Sequence, residues 1–275
     1  MAHFLKIIII IFILGNLTGC GTTQKTIDPT NMEDLQSLRD PGPPQGPGGS
    51  VTLSQLRVKA LEDTAMSLAA QGSLAWASKR INSRLEHDRW NLETVYNFNG
   101  MMLSHGVLPP VLVQGDNSLN LADPDTIRVA DKTYKIVQQA RFATTPPNWR
   151  EYLWMNYPVP QIPHRVLLPR TNEEAEVWKK AICNGWQKGI QQSTSIFQQN
   201  LARLKRDYQG MILYRKLLQE NMISAPYVSR TELGVTGDGN DMRINDQVLR
   251  ITEHPKLQTE SSGWRAIVVK HDDNS

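Results

Sequence analysis

A helical period of about 50 residues constrains this chain more than any other feature, because a helix that long cannot be hidden inside a small globule. Thr171 and Glu174 have the S/T-x-x-E/Q spacing of a capping box. Trp178, Ile182, Trp186, Gly189, Ser193, Phe197, Leu201, Leu204, Tyr208, Met211, Leu218 and Met222 then step mostly by three or four and define one face. The opposite face carries Lys180, Gln187, Lys188, Gln191, Gln198, Arg203, Lys205 and Arg206. Unbroken, such a helix measures ~75 Å, whereas a compact chain of this size has a radius of gyration near ~18 Å. Either it bends near Gly189 or Gly210, or it projects from the body.

A first helix is predicted over about 53–85, with Thr52 and Gln55 as its capping box and Leu53, Leu56, Ala60, Leu61, Ala65, Leu68, Ala69, Gly72, Trp76 and Ala77 along one face. The two long helices are expected to pack antiparallel. Between them the chain is punctuated by Pro109-Pro110, Gly115-Asp116-Asn117 and Asp123-Pro124-Asp125. Val111–Val113, Thr126–Val129 and Thr133–Val137 are short β-rich runs, the last two joined in one expected hairpin by Ala130-Asp131-Lys132. A short helix is predicted over Trp149–Tyr157, ahead of a run broken by Pro158, Pro160, Pro163 and Pro169. Tyr227–Val235, the glycine-rich Thr236–Asp241 and Met242–Thr252 give strand, turn, strand, and Trp264–Val269 a last β-rich segment. The fold class is therefore α+β: two long helices packed with short antiparallel strands and hairpins, in a single domain over 51–270.

The N-terminus carries a separate message. Lys6, the apolar run Ile7–Leu14 and the small residues Thr18-Gly19 precede Cys20, the order of a lipoprotein signal peptide. Its eight to nine apolar residues span only ~13 Å of helix, far short of a ~30 Å hydrocarbon core. Residues 1–19 are expected to be removed and Cys20 to carry the lipid, the thiol being the nucleophile that is alkylated. Several acyl chains hold a protein firmly to a bilayer where one does not. Gly21 rather than Asp follows the cysteine, which favours outer-membrane sorting. Residues 20–50 read as a lipidated N-terminus and flexible tether, without apolar periodicity and rich in Pro and Gly over 40–49. Fully extended, such a tether spans ~100 Å.

Charge and chemistry exclude more than they suggest. The chain has 30 Lys and Arg against 27 Asp and Glu, and losing Lys6 with the leader brings it close to neutrality. That balance argues against direct nucleic-acid binding as its main work. Cys20 and Cys183 are the two cysteines; acylation of the first leaves the second unpaired, as a buried, inert thiol in a helix. The sequence contains no H-E-x-x-H, G-x-S-x-G or Walker motif. His87, His105, His164, His254 and His271 have no ligand spacing, and Asp238, Asn240 and Asp241 suit a hairpin turn better than a cation loop. No catalytic residue, metal ligand or cofactor-binding residue is assigned, and the only attached group expected is the lipid on Cys20. Gly185-x-x-x-Gly189 lies among Lys179, Lys180, Gln187 and Lys188, so its use is close packing on another helix or a partner, outside lipid.

Gly185-Trp186-x-x-Gly189, Phe197-x-x-Asn200-Leu201-x-Arg203-Leu204-x-Arg206-Asp207-Tyr208-x-Gly210-Met211 and Val235-Thr236-Gly237-x-Gly239-x-x-Met242-x-Ile244-Asn245-Asp246 together resemble the DotC family. That family comprises the TraI lipoproteins of I-type conjugative plasmids and the DotC lipoproteins of type IVB secretion systems. The resemblance covers about 50–255. It implies a non-enzymatic outer-membrane lipoprotein of a multi-copy secretion core complex facing the periplasm, working with a DotD-like lipoprotein to bring a DotH-like subunit to the membrane. Only Cys20 carries over as a functional residue. The rivals are a periplasmic lipoprotein enzyme acting on peptidoglycan and an independent ligand-binding lipoprotein.

Overall fold

The computed structural model describes residues 27–40, 42 and 55–265. Cys20, the leader and the Thr52 cap lie outside the described residues. Helix α1 is Met32–Gln36, α2 Gln55–His87, α3 Arg89–Val95, α4 Trp149–Leu153 and α5 Asn172–Gln219. The strands are β1 Val107–Leu108, β2 Val111–Asp123, β3 Thr126–Gln138, β4 Arg141–Phe142, β5 Tyr227–Gly237 and β6 Met242–Glu253. The class is α+β, with β1–β4, β2–β3 and β5–β6 each an antiparallel two-stranded sheet.

Helix α5 is one continuous element of 48 residues, about 72 Å long. Thr171 caps it by accepting from the Glu174 N–H at 3.2 Å. The Glu174 carboxylate does not close the box. It accepts instead from the Arg170 N–H at 2.7 Å and from the Arg57 guanidinium at 3.1 and 3.3 Å. At the other end Asn221 takes φ 57°, and the Met222 and Asn221 N–H groups bond to the Leu217 and Leu218 carbonyls. This is the Schellman arrangement that stops a helix.

The two long helices pack parallel, which corrects the antiparallel expectation. Arg57 meets Glu174, Met66 faces Gly185, Ala70 faces Gly189, and Leu85 shares a core cluster with Leu204, so partners advance together along both helices. Antiparallel neighbours follow from short loops, and here 84 residues intervene. The proline-broken run is the return path. Asn82 exchanges hydrogen bonds with the Met155 backbone at 2.6 and 3.1 Å, and Arg57 donates to the Val166 and Leu168 carbonyls at 2.5 and 3.0 Å. Some twelve extended residues cover ~40 Å, matching the ~37 Å that α2 rises between Arg57 and Asn82.

Close approach of the pair is written in two stripes of four-residue spacing. Leu61, Ala65, Ala69, Ser73 and Ala77 on α2, and Ala181, Gly185, Gly189 and Ser193 on α5, are all buried. A Cβ on Gly185 would stand 2.8 Å from the Met66 Cα, and one on Gly189 3.0 Å from the Ala70 Cα. Beyond α2 the same helix becomes the floor for β2, where a Cβ on Gly210 would stand 2.5 Å from the Leu112 carbonyl oxygen and 2.6 Å from Val111. The helix therefore stays continuous at both glycines and serves three cores in succession. Leu61, Leu68, Trp178 and Ile182 form the first, Leu85, Phe98, Trp149, Leu153 and Leu204 the second, and Leu112, Tyr214, Leu217 and Ile223 the third.

Three further expectations are corrected. Residues 27–40, expected within the tether, are docked on the helix pair. Leu35 and Leu38 join the first core, and the Trp178 Nε1–H donates to the Leu35 carbonyl at 2.8 Å. The missed signal is local: Asn31 caps α1 by accepting from the Glu33 and Asp34 N–H groups, with both acids in the first turn. Ala130-Asp131-Lys132 is not a turn but lies within β3, which pairs along its length with β2. The turn is at Pro124-Asp125, where proline's fixed φ suits the first corner position. The helix expected over Trp149–Tyr157 stops at Leu153.

Candidate interaction surface

Each hairpin is rooted near the C-terminal end of α5. Leu112, Tyr134 and Ile136 fasten the β2–β3 root to Tyr214, Leu217 and Leu218. Strand β5 follows α5 after seven residues, and its root is stapled by the Ile223–Leu257 bridge and the Ser224 N–H bond to Lys256. Burial pushes the Tyr214 phenol up to about 12, so at the roots it stays neutral.

The far parts of both hairpins are apolar on one face and uncovered by any of the described residues. In β2–β3, Leu119 pairs with Val129 and Leu121 with Ile127, all 60–72% exposed. Side chains alternate along a strand, so this odd-numbered quartet lies on the face opposite Leu112, Tyr134 and Ile136, which seat the root. It is a second apolar face, not an extension of the core. In β5–β6, Val235 pairs with Ile244, and Met242 lies on the same face opposite Gly237, the three side chains 65–66% exposed. The hairpin bends at Gly234, φ 79°, and Asn245, φ 58°, where its register shifts. Its tip is closed by Asp238, whose carboxylate accepts from the Asn240 and Asp241 N–H groups at 2.8 and 3.0 Å. Those bonds hold its pKa below the usual carboxylate range. Asp238 thus serves turn geometry, as the sequence favoured, and the Asp241 carboxylate accepts from Arg243 at 3.2 Å.

An isolated two-stranded hairpin is marginal in water, and its bare edges invite pairing. Covering one such quartet yields ~4–8 kcal/mol at about 1–2 kcal/mol per side chain. That is comparable to the ~4–15 kcal/mol that association costs. One hairpin face is therefore a weak contact, and several used together make a firm one.

Several of the other singled-out residues make packing or capping contacts. Arg203 lies over the Tyr152 ring, its guanidinium carbon 5.3 Å from the centroid, and Arg206 bonds the buried Asp207 carboxylate at 2.9 and 2.7 Å. Tyr152 is pushed up to about 12, first by burial and then by Asp207. Cys183 is half-buried, its Sγ 3.1 Å from the Gln36 amide. His164 accepts from the Val166 N–H, and His105 sits at φ 61°. Among the described residues no cluster of His, Cys, Asp and Glu could hold a metal ion, and no helix is long and apolar enough to cross a membrane.

Residues 55–266 match the family model of TraI, a type IV secretory system protein of conjugal DNA-protein transfer. The chain belongs to the TraI family. No curated protein matches it. As a TraI family member it takes part in type IV secretion and conjugal transfer, and the matched span covers the helix pair and both hairpins. The hairpin faces were only half legible beforehand: the strands of β5–β6 and its turn were, but not the absence of a covering layer.

Proposed function

We propose that this protein is a non-enzymatic structural lipoprotein of the conjugal transfer core complex. Acyl chains on Cys20 hold it to the outer membrane on the periplasmic side. Together with a DotD-like lipoprotein it recruits a DotH-like subunit, in a multi-copy assembly, and it needs no cofactor beyond the covalent lipid. The observation that carries this reading is the pair of uncovered apolar hairpin faces, each too weak to hold a partner alone. Family membership supplies the context, and the polar groups of Asn31, Thr171, Asp238 and Arg203 are engaged in caps, turns and packing.

The test is capture of the full-length protein from detergent-solubilised membranes, with mass spectrometry of what accompanies it. The expected result is recovery of secretion subunits by the wild type, and their loss when Leu119 and Val129, or Val235 and Ile244, become Ser and Thr respectively. Capture of no secretion subunit by the wild type would sink the scaffold reading. Separately, Cys20→Ser should release the protein from the membrane and abolish DNA transfer; transfer at the wild-type level would refute the anchoring mechanism.

A further inference from the structure

The docked segment 27–40 changes where the anchor pulls. It crosses the helix pair as a strap. At its start the Pro29 carbonyl oxygen lies so close to Gly72 that a Cβ there would collide with it, and Asp28 is near enough to Lys79 for that charge to help lower its pKa, after the Thr30 hydrogen bonds. At its end the Asp40 N–H bonds the Pro169 carbonyl at 3.1 Å, and the Asp40 carboxylate accepts from Arg170 at 2.9 Å. Between these, Leu35 is fully buried and Trp178 holds its carbonyl. The chain thus enters the body at mid-length of α2, not at that helix's N-terminus.

We infer that this strap is a latch that moves the membrane attachment point from the start of α2 to the flank of the helix pair beside Gly72, and so fixes how far the body can stand from the bilayer. The inference rests on the lipidation of Cys20 proposed above. From Cys20 to Ile27 the chain spans at most ~24 Å, whereas from Cys20 to Gln55, with the strap released, it would span ~120 Å. A latched subunit is confined to a layer about five times thinner, which raises its local concentration for lateral partners by a similar factor. The root of β5–β6 near Met222 then lies ~45 Å along the pair from the attachment level.

The latch divides the chain between Cys20 and Gln55 into a part before it and a part after it, and this supplies the test. A Gly-Ser insert between Gly21 and Thr22 lies before the latch, and the same insert between Pro43 and Pro44 lies after it. Full-length acylated protein carrying Cys183→Ser is placed in nanodiscs containing headgroup-quencher lipid, with a fluorophore on Gln71→Cys or Gln258→Cys. Gln71 should be quenched several-fold more than Gln258. The insert before the latch should relieve the Gln71 quenching several-fold and lower conjugal transfer; the insert after it should change neither. Equal relief by both inserts overturns the latch and leaves the anchoring reading standing. Failure of the acylated protein to enter nanodiscs overturns both. Hydrogen exchange reports the latch directly: the Leu35 amide, bonded to the Asn31 carbonyl at 3.1 Å, should be protected, and exchange at the rate of a free peptide refutes docking.

Discussion

Replacing Gly189 with Ala sets two effects of opposite sign against each other. On an open helix face the change would stabilise by about 1 kcal/mol, because alanine is the better helix former. Here the new Cβ would collide with the Ala70 carbonyl oxygen and the Ser73 hydroxyl, and would stand 3.0 Å from the Ala70 Cα. The hydroxyl can rotate away at the expense of its 3.0 Å bond to the Ala70 carbonyl, a loss of about 1 kcal/mol. The backbone of α2 cannot, so the helices must part along their stripes, and over-packing of this kind costs ~1–3 kcal/mol. The net expectation is destabilisation by about 2 kcal/mol, a fall in Tm of ~4–8 °C for a body of this size. Gly185→Ala should behave alike, and the double variant should lose about 3 kcal/mol because one separation relieves both clashes. Thermal unfolding followed by helical circular dichroism reads the effect. Gly100→Ala, whose Cβ would find its nearest neighbour at 4.0 Å, is the neutral control. An unchanged or raised Tm for Gly189→Ala, or full rescue by adding Ser73→Ala, would refute the claim that backbone contact sets the spacing.

Two other outcomes follow from the same structure. Burial works to raise the pKa of Glu174, but the hydrogen bonds from the Arg57 guanidinium and the Arg170 backbone N–H outweigh it and leave the group lowered. Its stabilising contribution is therefore present above the ordinary carboxylate pKa near ~4.3 and lost as pH falls below it. Glu174→Gln should cost about 1–2 kcal/mol at neutral pH and flatten the acid limb of a stability–pH curve; an unaltered acid limb would contradict this. At the hairpins, Val235→Thr with Ile244→Thr should leave Tm within ~2 °C, since the side chains are exposed, while subunit capture and DNA transfer fall; a large loss of Tm would show the face to be part of the folding core.

Local chemistry made several elements legible. The Thr171 cap and the long apolar period located α5, and the glycine-rich Thr236–Asp241 segment located the β5–β6 turn. The small residues at Gly185 and Gly189 announced a close contact, though not its partner. Misreading of 130–132 has a physical cause: where both faces of a hairpin meet solvent, polar residues such as Asp131 and Lys132 carry no alternation that separates strand from turn.

Sequence alone determined where the long helices and the last hairpin form, since caps, periodicity and turn residues act within a few positions of one another, and it carried the family pattern. Tertiary structure decided the direction in which the helices pack, the docking of residues 27–40 and the isolation of the hairpins. Each depends on groups far apart in the chain: Leu35 is held by Trp178, 143 residues away, and the parallel pair exists because an extended run returns along α2. A hairpin's exposed apolar face, likewise, is defined by what does not cover it, and no local pattern of residues encodes that.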